Sequence, residues 1–166
     1  MLLATYALLT LRIEQKRERA SIQELQDCLA RPAHCDDFDG AELSTRSEQL
    51  IEFAESRHQR RLENGLFPAL RAASVDAGES LRKLEHLGRV GLEILPRIRS
   101  VLRPGARLGK QQIARVCILV QAYCQNLLER LACEEEDLLP LAERVLPSEI
   151  WFKVGTEFLM QDAQRA

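Results

Sequence analysis

Apolar residues recur along the chain at intervals of three, four and seven, the period of a helix with one buried face. Leu8, Leu11, Ile22, Leu25 and Leu29 fall on one such face, and the pattern stops near Arg31-Pro32, where proline disfavours further helix. A polar stretch from Ala33 to Gly40 follows, and a second helix is predicted through Leu43, Leu50, Ala54, His58 and Leu62, running up to Gly65 and Pro68. After Asp76-Ala77-Gly78 a third stripe runs through Leu84, Leu87, Val90, Ile94, Ile98 and Val101, with a bend expected at Pro96 and an end at Pro104-Gly105. The fourth is the most regular: Ile113, Val116, Val120, Tyr123, Leu127, Arg130, Glu134 and Leu138, with Pro140 marking a break or kink. Ser148 is placed to cap a short terminal helix whose Trp151 and Phe152 close one end. No segment alternates apolar and polar residues with period two, so the chain has little from which to build a sheet. The pattern predicts an all-α fold, an up-down-up-down four-helix bundle with a short C-terminal helix.

At 166 residues with 46% hydrophobic residues, one domain spanning 1–166 can bury a full apolar core without disulfides or a structural metal. Lys and Arg number 23 against 25 Asp and Glu, interspersed along the chain. That balance excludes a polybasic nucleic-acid binder and argues against an anionic-membrane binder. Leu2 to Leu11 is about half a membrane span and runs into Arg12, Glu14, Lys16 and Arg17, so it reads as the start of a water-exposed helix. Five cysteines without a C-x-x-C pair indicate free thiols in a reducing, cytoplasmic compartment. Cys28, His34 and Cys35 lack a fourth member for a zinc site.

Two features carry chemistry. Glu63-Asn64-Gly65-Leu66-Phe67-Pro68-Ala69-Leu70 matches Glu135-Glu136-Asp137-Leu138-Leu139-Pro140-Leu141-Ala142 at an offset of 72, and Ile13-Glu14-Gln15 echoes Leu84-Glu85-His86 at 71, so the chain reads as two copies of a helical hairpin. In addition, polar residues interrupt the apolar stripes in register. Gln15 and Glu18 stand between Leu11 and Ile22, His58 between Ala54 and Leu62, and Arg130 and Glu134 between Leu127 and Leu138; His86 sits at the edge of the third stripe. A polar group on a buried face costs roughly 1–3 kcal/mol unless it is paired. A ring of inward polar side chains is how helical bundles build metal sites.

His58-Gln59-Arg60-Arg61-Leu62-Glu63, then Leu66-Phe67-Pro68-Ala69-Leu70, Leu84-Glu85-His86, and Glu134-Glu135 followed by Leu138-Leu139-Pro140-Leu141-Ala142-Glu143-Arg144 and a trailing Trp151 together resemble the bacterial hemerythrin-like (HHE cation-binding) family. The resemblance spans about residues 5–155. It implies a four-helix bundle around a non-haem, usually di-iron, centre with His and carboxylate ligands, used to bind or sense oxygen or to handle iron. It also implies where the ligands belong. This chain has Gln15 where the pattern has a His, His58 followed by Leu62 where it has His-x-x-x-Glu, His86 where it has a His, and Arg130 followed by Glu134 where it has His-x-x-x-Glu.

Three ligand positions survive, His58, His86 and Glu134, and three do not. Two irons need bridging carboxylates and several imidazoles, so this set is short for a dinuclear centre. Leucine ligates nothing, an amide is a poor imidazole, and a guanidinium repels a cation. Arg130 lies four residues before Glu134, the spacing at which a charge-assisted pair can form in the metal's place. Glu63, next to Leu62, is separated from it by about 100° of helical rotation. Ligand counting therefore favours no metal, with a mononuclear His58/His86/Glu134 site holding non-haem iron as the alternative. The two functional expectations are a non-catalytic metal or dioxygen binder with a reduced ligand set, and a metal-free interaction or regulatory module acting through a homodimer or protein partner. Cys133, beside Glu134, is a candidate redox thiol if its pKa is lowered.

Overall fold

The computed structural model describes residues 2–30 and 40–164; the His34 and Cys35 reading falls outside them. Five helices follow one another: α1 (Leu2–Ala30), α2 (residues 40–73), α3 (Ala77–Val101), α4 (residues 110–145) and α5 (Ser148–Ala163), with no strand among the described residues. The first four form the expected bundle. α3 pairs closely with α4, while α5 lies along α1 and against residues 62–66.

The internal repeat is written in the backbone. α2 does not end at Pro68 but continues to Ala73, and α4 continues past Pro140 to Val145. Each passes through a π turn placed identically in its repeat, Leu62–Leu66 and Glu134–Leu138, where the amide of Phe67 bonds to the Leu62 carbonyl and that of Leu139 to the Glu134 carbonyl. Each proline then falls in the first turn of the α-helical stretch that follows, where its missing N–H is tolerated. A further π stretch, Glu52–Gln59, lies in α2. Single-turn π-bulges interrupt helices frequently at functional sites. Here they widen the inner face of α2, so that neighbours such as His58 and Gln59, or Arg61 and Leu62, are buried together.

α3 departs from its predicted stripe. Its buried ridge is Leu81, Leu84, Gly88, Gly91, Leu95 and Ile98, while Leu87, Val90, Ile94 and Val101 are only half-buried. The two glycines explain the rotation: a Cβ at Gly91 would stand 2.8 Å from Asn126 Oδ1 on α4, so close packing rather than apolarity selects this face. At α5, Pro147 rather than Ser148 occupies the N-cap, and no side chain caps the helix. Trp151 enters the core as expected, whereas Phe152 faces solvent.

The core is split in two. One apolar cluster gathers Leu11, Leu66, Phe67, Leu84, Leu138, Trp151 and Phe158 at the α5 end. The other gathers Ile22, Leu43, Leu50, Leu95, Val120, Tyr123 and Leu127 at the opposite end. Between them lies a layer of buried polar side chains: Glu14, Gln15, Glu18, His58, Gln59, Arg61, Asn126, Arg130 and Glu134.

Candidate functional site

His58 occupies the middle of the polar layer with only 1% of its surface exposed. Its Nε2 lies 2.7 Å from Glu134 Oε2 and its Nδ1 lies 3.2 Å from Glu14 Oε2. Ionised carboxylates only accept, so both ring nitrogens must carry protons and the ring is an imidazolium. Burial alone would push the His58 pKa down, but the Glu134 charge and the bonds to Glu134 and Glu14 outweigh it and hold it well above the usual histidine value. Burial likewise pushes Glu134 and Glu14 up, and the His58 charge and hydrogen bond more than reverse this, leaving both carboxyls below their ordinary value.

The neighbouring groups complete the layer. Gln15 Nε2 donates to Glu134 Oε2 at 3.1 Å. Arg130 does not pair with Glu134 as expected. Its Nη1 donates to Glu55 Oε1 and its Nη2 to Gln59 Oε1, both at 2.7 Å, because the widened turns of α2 turn those two acceptors inward. The Tyr123 hydroxyl donates to the same Glu55 oxygen at 2.9 Å. Glu18 is fully buried and its Oε2 has no hydrogen-bond partner. Burial pushes its carboxyl up to about 7, with the Glu134 and Glu55 charges also raising it and those of His58 and Arg130 opposing.

A third cation, Arg61, has no exposed surface at all. Its Nη2 donates to Asp162 Oδ1 on α5 at 2.5 Å, and its Nε stands 3.2 Å from Glu14 Oε1 as an ion pair. Half-exposed Arg57 donates to that same Glu14 oxygen at 3.1 Å. Neither Arg61 nor Asp162 lies on an apolar stripe of the sequence, so periodicity alone misses both. Arg61 is turned inward by the π turns of α2, and Asp162 meets it only through the docking of α5, so neither left a periodic signal in the sequence.

Of the residues singled out from the sequence, the structure brings together Gln15, Glu18, His58, Arg130 and Glu134, and packs Leu62 below them in the apolar cluster. It does not bring His86 or Glu63. His86 is exposed on α3, off the Leu84–Gly88–Gly91 ridge, and Glu63 is exposed and accepts from Gln59 Nε2 at 2.8 Å. Cys133 is buried, with its thiol pushed by burial up to about 11, the opposite of the lowered value that redox reactivity requires.

The donor set does not fit a dinuclear metal centre. An imidazolium engaged at both nitrogens offers no lone pair, and His58, Arg61 and Arg130 already place three positive groups in the layer where metal cations would have to enter. Among the described residues no group of three or more His, Cys, Asp or Glu side chains is arranged to hold a metal ion. Nor is any helix among them long and apolar enough to cross a membrane.

A family model described as the Hemerythrin HHE cation binding domain matches residues 8–142, which takes in all but the ends of the four bundle helices and the whole polar layer but leaves out α5. Neither the curated proteins nor the solved structures give a match to this chain. With the bundle, the paired π turns and the polar layer all inside the matched span, the chain belongs to the hemerythrin HHE cation-binding domain family.

Proposed function

We propose that this protein is a metal-independent member of its family: a non-catalytic helical module whose centre is held by its own charges and which acts, in the cytoplasm, on a protein partner or a second copy of itself. The observation that carries this reading is the closure of His58 between Glu14 and Glu134. A histidine poised for a metal keeps one nitrogen free and gives the other to a carboxylate or carbonyl. Here both are given away. The polar layer also offers no nucleophile with an adjacent base. The interaction reading draws support from Leu9 and Ile13 on α1, both more than half exposed beside a groove that α1 forms with Leu139 and Pro140.

The test is elemental analysis of protein purified without metal-affinity steps from iron-supplied cells, together with melts in the presence and absence of a chelator. A metal bound to the folded state adds its binding free energy to stability, so chelation lowers the melting temperature of a metalloprotein. The expected result is less than about 0.1 metal per chain and an unchanged melt. About one or two irons per chain, with a melt that falls on chelation, overturns the proposal.

A further inference from the structure

Arg130 stands on α4 where His58 stands on α2, 72 residues earlier, and both enter the polar layer one turn ahead of a π turn. The surroundings of Arg130 are built for its shape. Glu55 Oε1 and Gln59 Oε1, four residues apart on α2, each take one terminal nitrogen of the same guanidinium at 2.7 Å. Tyr123 fixes the Glu55 carboxylate by donating to it. Gly91 provides the wall, since a Cβ there would stand 3.5 Å from Arg130 Nη1. Acceptors are in surplus: Asn126 Oδ1 and Glu18 Oε2 are buried without a hydrogen-bond partner. A groove of about 530 Å³ between α2 and α3, lined by Glu55, Gln59, Gly88 and Leu92 among others, leads from solvent to the two residues that hold the guanidinium.

We infer that Glu55, Gln59, Tyr123, Asn126 and the Gly91 wall form a guanidinium-binding site whose ligand in the native chain is Arg130 itself, and that a free guanidinium ion enters it when that side chain is removed. Two acceptors that each take a different terminal nitrogen answer the fork of a guanidinium, which an ammonium cannot span from one point. This deepens the metal-independent reading, because it names what occupies the cation's place, but it is tested separately.

The experiment is thermal melting of Arg130→Ala in chelator at constant ionic strength, with guanidinium chloride replacing sodium chloride up to about 20 mM, well below denaturing concentrations. The variant is expected to melt lower than the native chain and to regain about 2–8 °C as guanidinium rises, by mass action on the folded state. The native chain should show no gain, and Glu55→Gln combined with Arg130→Ala should abolish it. Identical melts of Arg130→Ala in guanidinium and sodium overturn the assignment, as does, in parallel melts without chelator, a larger gain from magnesium or manganese than from guanidinium. If Arg130→Ala does not fold, Arg130→Lys decides. A melting temperature several degrees below native supports a fork-specific site, and one equal to native overturns it. Wild-type metal content, which decides the preceding proposal, has no bearing on either result.

Discussion

Asp162, in the last turn of α5, grips Arg61, an arginine with no solvent-exposed surface, through a 2.5 Å bond from Nη2 and a longer one of 3.4 Å from Nη1. Tyr6 of α1 donates to the other oxygen of the same carboxylate at 2.9 Å, and the Arg61 guanidinium stacks on the Phe158 ring 4.9 Å away. A helix outside the family span thus reaches back to the charge layer at the bundle centre. Removing one partner of a buried pair strands the other, which costs about 3–5 kcal/mol for a fully buried pair. Asp162 is about a third exposed and Arg61 keeps Glu14, so Asp162→Asn is expected to cost less, about 1–2 kcal/mol. Denaturant melts check the magnitude. Faster amide exchange confined to α5 and the start of α1 checks the location.

His58→Gln should be more damaging. It leaves Glu14 and Glu134 facing a neutral amide and Gln15 as the remaining donor to Glu134, in a layer that water does not reach. An uncompensated buried charge predicts a loss of about 3–5 kcal/mol at neutral pH. The pair also predicts a pH signature. Because the folded pKa of His58 is raised, its contribution is complete below the unfolded value near 6.5 and is lost as pH rises through the folded value. Glu14 and Glu134 have lowered folded values, so theirs is complete above about 4.5 and is lost as pH falls. The gap in stability between native and His58→Gln should therefore be widest between these limits and narrow toward acid. A gap independent of pH would refute the charge pairing.

Glu18 carries the opposite sign for a carboxyl. Its folded value of about 7 lies above the unfolded 4.5, so the folded state holds a proton that the unfolded chain has lost, and stability falls as pH rises from 4.5 through 7. Glu55 and His58 on α2, and Arg130 and Glu134 on α4, set this balance together with burial. Glu18→Gln, a neutral isostere, should match the native chain near pH 4.5 and exceed it above pH 8 by up to about 3 kcal/mol. Urea melts of both proteins at the two pH values measure the difference.

Cys133 should be inert. With its thiol pushed up to about 11 and its side chain buried against the Ser80 carbonyl, it has almost no thiolate at neutral pH. Mass spectrometry after mild peroxide treatment of the folded protein is expected to find Cys133 unmodified. Cys124, raised to about 12 by burial, should behave likewise. Oxidation of Cys133 ahead of half-buried Cys117 would contradict this.

The docking of α5 depends on a glycine. A Cβ at Gly155 would stand 2.6 Å from the Leu3 carbonyl oxygen, a backbone atom that cannot swing aside. Gly155→Ala should therefore push α5 off the start of α1 and cost about 1–3 kcal/mol, as overpacking does elsewhere. A calorimetric melt decides it, and a variant as stable as the native chain would mean that the two helices approach less closely.

The bundle, its four long helices and the polar layer were legible in the sequence, because a 3.6-residue period with in-register interruptions dictates which side chains must be buried. His58, Glu134, Gln15, Glu18 and Arg130 all stand in that layer. Periodicity failed where backbone geometry changed the period. π turns brought Gln59 and Arg61 inside, and two prolines that resembled helix ends lie within continuing helices. It failed again where a face was chosen by smallness rather than apolarity: Gly88 and Gly91 rotated α3 and left His86 in solvent. Partner choice lay wholly beyond it. That Arg130 goes to Glu55, that Arg61 meets a carboxylate 101 residues away on α5, and that His58 is shared by two glutamates are decided by which acceptors the five packed helices bring to each buried donor.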